Sequence, residues 1–133
     1  MSKICTDLEQ SRKLLSLGIK KNTADMHYFS DGYNPTKLDV GYSAENAKFY
    51  RGTKNEYIPA WSLTALLKLM PKIKAATPIL VNALLEEKYY CHYQGIGTYK
   101  EVNTTSFQDE PVDAAFEMVC WLLENGYIKK VKK

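Results

Sequence analysis

Pro111-Val112-Asp113-Ala114-Ala115-Phe116-Glu117-Met118-Val119-Cys120-Trp121-Leu122-Leu123-Glu124-Asn125-Gly126 is the stretch that decides the fold. Val112, Ala115, Phe116, Val119, Leu122 and Leu123 recur at helical spacing, and Ala114, Met118 and Trp121 add a second apolar row. Only Asp113, Glu117, Cys120 and Glu124 interrupt that surface. A helix apolar around most of its circumference has to be buried, so the segment predicts the spine of the core. Pro111 suits a first helical turn, where its missing N–H costs nothing, and Asp113 suits the positive end of the helix dipole. Asp109 or Glu110 is the expected cap, and Asn125-Gly126 the stop. On this reading Phe116→Ala costs about 3–5 kcal/mol.

Two shorter helices are read outward from it. Thr6-Asp7-Leu8-Glu9 has the form of a capping box, in which the Thr hydroxyl and the Glu carboxylate each satisfy a backbone N–H. It predicts a helix to about Leu17, closed by Gly18. Leu8 and Leu15 share its apolar face, flanked by Leu14 and Leu17. Ser62 is the expected cap of the other helix, with Leu63, Leu66, Leu67 and Met70 on one face and Pro71 as the stop. Trp61, just ahead of that cap, either plugs the core or presents an indole edge to a partner; Leu63 and Leu66 following it inward favour the plug.

Strand signals lie between the helices. Met26-His27-Tyr28-Phe29 is rich in strand formers and ends at an Asp31-Gly32 turn. Lys88–Gln94 reads as a strand, Gly95-Ile96-Gly97 as a turn, and Thr98–Thr104 as the returning strand. Residues 78–86 stay open between a helix capped by Thr77 and a buried strand. Residues 33–57 mix Asn, Pro, Gly, Ser, Lys and scattered Tyr, with short strands expected around Lys48–Arg51. The sum is an α+β fold: about three helices (7–17, 62–70 and 111–125) packed on a small, mostly antiparallel β-sheet that includes 25–30, 88–94 and 98–104.

Composition agrees with a single domain over 1–133. The chain has 133 residues, 45% hydrophobic and 25% charged, near the average for globular domains. No apolar run approaches the ~20 residues that span a bilayer. The start, Met1 to Asp7, reaches an acid before a signal-peptide core can form. The expectation is therefore a cytoplasmic protein with no membrane contact and with Cys5, Cys91 and Cys120 reduced. The formal net charge of +3 comes from 18 Lys+Arg against 15 Asp+Glu. Lys129, Lys130, Lys132 and Lys133 carry that excess, so the body is nearly neutral and residues 128–133 read as a basic tail that frays.

Catalytic and metal-binding patterns are weak. A structural zinc site wants ligand pairs two to four residues apart, and only Cys91-His92 are close. Being adjacent on a strand they point to opposite faces, one expected in the core and the other at the surface. A thiol enzyme around Cys91 with His92 and His27 lacks any local feature that lowers a thiol pKa. Gly95-Ile96-Gly97 lacks the third glycine and the following helix of a phosphate cradle. Asp109-Glu110 and Glu86-Glu87 read as caps and solvated turns. No cofactor, metal or catalytic residue is indicated.

The ten tyrosines stand out, most of them off the helices. Tyr joins a large contact area to a polar tip and is enriched at interfaces. Tyr50, Arg51, Tyr57, Trp61, Tyr90, Tyr93 and Tyr99 are the candidate binding residues. Beside Lys48 and Lys54, the Tyr50-Arg51 pair also has the makings of a single-stranded nucleic-acid patch. Strands also favour Tyr for packing alone.

Three stretches carry a family resemblance: Thr6-Asp7-Leu8-Glu9-Gln10-Ser11 with Thr23-Ala24-Asp25-Met26; Ile58-Pro59-Ala60-Trp61-Ser62-Leu63 with Leu66-Leu67 and Met70-Pro71; and Pro111 to Met118 with Trp121 to Asn125. Together they resemble a group of short uncharacterised proteins of gut anaerobic bacteria and their phages or mobile elements. The resemblance implies a bacterial cytoplasm and a phage-linked or mobile-element setting, and it supplies no catalytic residue. The function expected is a non-enzymatic accessory or interaction domain that binds a protein partner, or itself, through a Tyr-rich surface. The alternative is a nucleic-acid-binding accessory factor using the Tyr/Lys/Arg patch and the lysine tail. A thiol enzyme around Cys91 and His92 is the remote third.

Overall fold

The computed structural model describes residues 3–30, 37–39, 56–73, 76–83, 87–95 and 101–131. Among them the order is α1 (Leu8–Ser16), a 3₁₀ turn (Lys21–Thr23), β1 (Met26–Ser30), β2 (Lys37–Asp39), β3 (Glu56–Ala60), α2 (Leu63–Leu69), β4 (Ala76–Ala83), β5 (Lys88–Gly95), β6 (Glu101–Thr104) and α3 (Pro111–Glu124). The class is α+β with antiparallel pairing. The strands expected in one sheet are divided between two, ordered β2-β1-β3 and β4-β5-β6.

α3 is the spine that its pattern predicts. Val112, Ala114, Ala115, Met118, Val119, Leu122 and Leu123 are all buried on it. They join Leu14, Trp61, Leu66, Met70, Cys91 and Tyr93 in one cluster. Phe116 is only part-buried against that cluster. The 3–5 kcal/mol expected for Phe116→Ala assumes full burial, so that figure belongs to the enclosed side chains instead. Glu110 takes the N-cap position without a side-chain bond to the helix, and its carboxylate accepts the Lys3 backbone N–H at 3.1 Å. Gly126, at φ 80, ends the helix.

The first capping box is displaced by one residue. Asp7, not Thr6, is the N-cap of α1: its carboxylate accepts the Gln10 N–H at 2.8 Å, and the Gln10 side chain accepts the Asp7 N–H at 3.0 Å. Thr6 is drawn inward, where its hydroxyl meets Ser11 Oγ at 2.8 Å and accepts the Trp61 N–H at 3.1 Å. The fully buried face of α1 is accordingly Ser11 and Leu14, while Leu8, Leu15 and Leu17 are half-buried.

Ser62 caps α2 as its sequence predicts, accepting the Ala65 N–H at 3.2 Å. Asp25 holds the cap in place by accepting both the Ser62 N–H and the Ser62 hydroxyl. Trp61 is the plug: it is 0% exposed, and its indole N–H donates to Thr23 Oγ1 at 2.9 Å.

Two prolines explain where strand reading is hard. Pro59 lies in β3 and Pro78 in β4, and each strand is at the edge of its sheet. Edge strands tolerate a residue with no N–H to donate. Residues 76–83 of the open segment are thus strand, paired along their whole length with β5; 84–86 lie outside the described residues. So does the Lys48–Arg51 segment, and of the expected returning strand only 101–104 is described, as β6.

Gly18 follows the C-cap of α1 at φ 95, and a Cβ there would lie 2.9 Å from Lys130 Cβ. The Gly18 carbonyl accepts the Val131 N–H at 2.7 Å. The start of the segment expected to fray is therefore held: Ile128 packs on the core cluster and Val131 is tied to Gly18, in the turn after α1. No helix among the described residues is long and apolar enough to cross a membrane.

Candidate interaction surface

Alternation along β5 sorts its aromatic side chains between two faces. Cys91 and Tyr93 are both 0% exposed and belong to the core cluster. Tyr90 and His92, one residue out of step, take the opposite face. Across the β4–β5 pair they stand opposite Val81 and Ile79. Phe107 comes in beside them from the segment after β6, edge-on to Tyr90 with ring centroids 5.4 Å apart. Tyr90 is in turn edge-on to His92 at 5.5 Å.

This outer face leaves apolar surface in water. Phe107 is 56% exposed and Ile79 38% exposed, with Val81 and Tyr90 half-buried. The described side chains of the face are Thr77, Ile79, Val81, Tyr90, His92, Thr104 and Phe107, and by the same alternation Lys88 stands at its end. Lys88 is the one charged side chain among them, and its ammonium pairs with the Asp109 carboxylate.

Of the seven candidate residues, Tyr90 alone is placed on this surface. Trp61 is enclosed, and Tyr93 is enclosed too, with its hydroxyl donating to the Pro71 carbonyl at 2.7 Å. Neither has surface for a partner to touch. Tyr57 pairs with Phe29 in β3, its side chain outside the description. Tyr50, Arg51 and Tyr99 lie outside the described residues, as do Lys48 and Lys54. Phe107 and Ile79 are the members that sequence reading missed. Ile79 lies in the apolar run Ile79-Leu80-Val81, which has no alternation to say which side chain is exposed, and Phe107 sits in a short segment with no periodicity either.

The thiols are poor reagents. Cys91 and His92 do part to opposite faces, but both are buried, His92 at 9% exposure because Tyr90 packs against it. Cys91 Sγ lies 3.9 Å from the Met70 sulfur, and burial pushes its pKa up to about 11. Burial pushes Cys120 up to about 12, with Lys13 opposing it and Glu124 and Glu117 adding smaller upward effects. Both thiols stay protonated at neutral pH, and the thiolate is the nucleophile. Among the described residues no group of three His, Cys, Asp or Glu gathers in metal-binding range.

One polar cleft of about 420 Å³ opens between α1 and α3, lined by Lys3, Asp7, Lys13, Asp113, Glu117 and Cys120 among others. Its charges are engaged in structure. Lys3 Nζ lies 2.7 Å from Asp113 Oδ1 and 3.1 Å from Asp7 Oδ2. The Gln10 amide donates to Asp113 at 2.8 Å, and Glu117 accepts the Ser106 N–H at 2.8 Å. Burial alone would lower the Lys3 pKa, but the hydrogen bonds to Asp113 and Asp7 outweigh it and the net direction is up. Burial alone would raise Asp7, but the Gln10 N–H and Lys3 outweigh it and the direction is down.

The Asp7 contribution is complete above its ordinary 3.8 and is lost as pH falls through the lowered value. The Lys3 contribution is complete below its ordinary 10.5 and is lost as pH rises through the raised value. Lys3→Met is therefore expected to cost less than about 1 kcal/mol at neutral pH, because the pair is part-exposed. Urea midpoints should show the difference shrinking in acid, below the ordinary carboxylate range. A difference that persists unchanged there would mean that Lys3 acts by packing and not by charge.

Set against protein-family models, curated proteins and solved structures, the chain matches none.

Proposed function

We propose that the chain is a non-enzymatic, cytoplasmic interaction domain that binds a protein partner through the outer face of the β4-β5-β6 sheet, centred on Phe107, Tyr90 and Ile79. The observation that carries the reading is a face that exposes aromatic and branched apolar side chains, with Lys88 at its end already paired to Asp109. Nucleic acid demands cations at fixed geometry to meet its phosphates, and Lys88, held by Asp109 at the end of the face, is the one cation among its described residues, so the face suits a partner whose own contact surface is mainly apolar. Phe107 can contribute much of the contact, because a large aromatic held by a neighbouring ring loses little freedom on binding. Three buried free thiols, Cys5, Cys91 and Cys120, fit a reducing compartment. The test is Phe107→Glu. It should abolish recovery of the partner in affinity capture from the cell that encodes the protein, with the melting temperature unchanged. Unaltered capture would contradict the assignment. Binding of single-stranded DNA that weakens steeply with salt would replace the protein partner with a nucleic acid.

A further inference from the structure

The main chain of β4 has one side turned toward β5 and one turned away, and its hydrogen bonds say which residues serve which. Ala76 exchanges both of its groups with Ile73, N–H to C=O at 2.8 Å and C=O from N–H at 3.1 Å, on the side away from β5. On β5, Tyr89 exchanges with Gln108, and the Cys91 carbonyl accepts the Thr105 N–H at 2.8 Å, on the side away from β4. Tyr90 and His92 therefore address β4, through their partners Val81 and Ile79. By the same alternation Pro78, Leu80 and Asn82 turn their main-chain groups outward. Both strands give the same parity, and it explains Pro78, whose missing N–H falls where the sheet needs no donor.

Natural edge strands are usually guarded by charge, especially lysine. Ala76-Thr77-Pro78-Ile79-Leu80-Val81-Asn82-Ala83 has none. Among the described residues no strand lies beyond it. Pro78 guards only the first part of the edge; Leu80 and Asn82 keep both donor and acceptor pointing out.

We propose that β4 pairs antiparallel with β4 of a second copy of the chain, about a two-fold axis at Leu80, joining the two β4-β5-β6 sheets into one. The occupant is a second copy because the edge is self-complementary. With Leu80 opposite the partner's Leu80, each donates its N–H to the other's carbonyl. Asn82 N–H then reaches the partner's Pro78 carbonyl, and the reciprocal bond forms by symmetry. On the outer face Ile79 stands opposite the partner's Val81, a β-branched cross-strand pair of the favourable kind. A shift of the register by one pair would set Leu80 against Asn82, which favours the centred arrangement. With no charge on the strand, two copies meet without repulsion, and a two-fold interface of this kind closes on itself instead of growing into a fibre. This pairing uses the strand edge and is independent of what binds at Phe107.

Sedimentation velocity over about a hundredfold range of concentration tests it, since dimer populations follow protomer concentration. The expected result is a reversible dimer that Asn82→Pro weakens at least about tenfold, with the circular dichroism of the monomer unchanged. Asn82 is exposed and its N–H points outward, so the substitution removes a donor that no described residue of the single chain uses. Ile79→Lys, on an exposed side chain, should weaken the dimer as much and covers the case in which Asn82→Pro folds poorly. Ile79→Cys combined with Val81→Cys should oxidise to a covalent dimer, because opposed residues of an antiparallel pair lie within disulfide reach and neighbours on one face of a strand do not. A chain monomeric at every concentration, or a dimer indifferent to both Asn82→Pro and Ile79→Lys, would overturn the proposal. A monomer that still loses its partner on Phe107→Glu would remove the self-pairing alone and leave the functional reading standing.

Discussion

Trp61→Ala is expected to remove a large share of the stability of this protein. The indole is 0% exposed and sits in the same cluster as Leu66, Tyr93 and Leu122. Deleting a fully enclosed large aromatic costs about 3–5 kcal/mol, out of a total of about 5–15 kcal/mol for an ordinary domain. The indole N–H also holds Thr23 Oγ1 at 2.9 Å, so the turn leading into β1 loosens with it. Trp61→Phe keeps much of the volume and loses that bond, and should cost about 1–2 kcal/mol. Urea unfolding followed by circular dichroism measures both. A loss below about 1 kcal/mol for Trp61→Ala would put the indole outside the core and restore it as a binding residue.

Thr6→Val is the second large effect, and it comes from hydrogen bonding, not volume. Thr6 is fully buried and ties three parts of the chain together. Its N–H donates to the Trp61 carbonyl at 2.9 Å, its hydroxyl accepts the Trp61 N–H at 3.1 Å, and the same hydroxyl meets Ser11 Oγ at 2.8 Å. Valine has nearly the same shape but leaves the Trp61 N–H and the Ser11 hydroxyl buried without that partner. Each such orphan costs about 1–3 kcal/mol, so the substitution should lose on the order of 3 kcal/mol. Adding Ser11→Ala removes one orphan and should recover part of the loss, which a double-mutant cycle reads directly. Additive losses in that cycle would show that the two hydroxyls are not coupled.

Thr6 also illustrates what the sequence could and could not convey. Thr6-Asp7-Leu8-Glu9 fits the local capping rule, and the rule was overridden by Trp61, which lies 55 residues away and claims the threonine hydroxyl. Ser62 met the same local rule and kept its place, because its distant partner Asp25 reinforces the cap. α3 was legible from end to end, because a helix apolar on nearly all sides leaves only one reading. Helix interiors depend on neighbours within a turn or two; strand partnership does not. Nothing in residues 26–30 or 88–95 says that they belong to different sheets, and pairing decides it. The prolines at 59 and 78 obscured two strands that became plain once both were seen to be edges.

The surface was legible to the extent that its strand alternates. Cys91 and His92 were separable by parity, but which parity faces the core is fixed by the packing of α3 against β5 and not by local composition. Tyr90 and Tyr93 are chemically identical candidates that the pleat sends to opposite fates, one to the outer face and one beneath α3. A rich tyrosine content therefore indicated a binding face only through the member that the register turned outward. Phe107, the most exposed large hydrophobic among the described residues, has no such pattern around it, and only its edge-on contact with Tyr90 joins it to the face.

The most direct test of that face is to place a photoreactive p-benzoylphenylalanine at position 107, and at exposed Glu9 on α1 as a control, and to irradiate cells producing each form. The account predicts a protein adduct of discrete mass from position 107 and none of that mass from position 9. Equal labelling from both positions, no adduct from position 107, or an adduct to nucleic acid would contradict it.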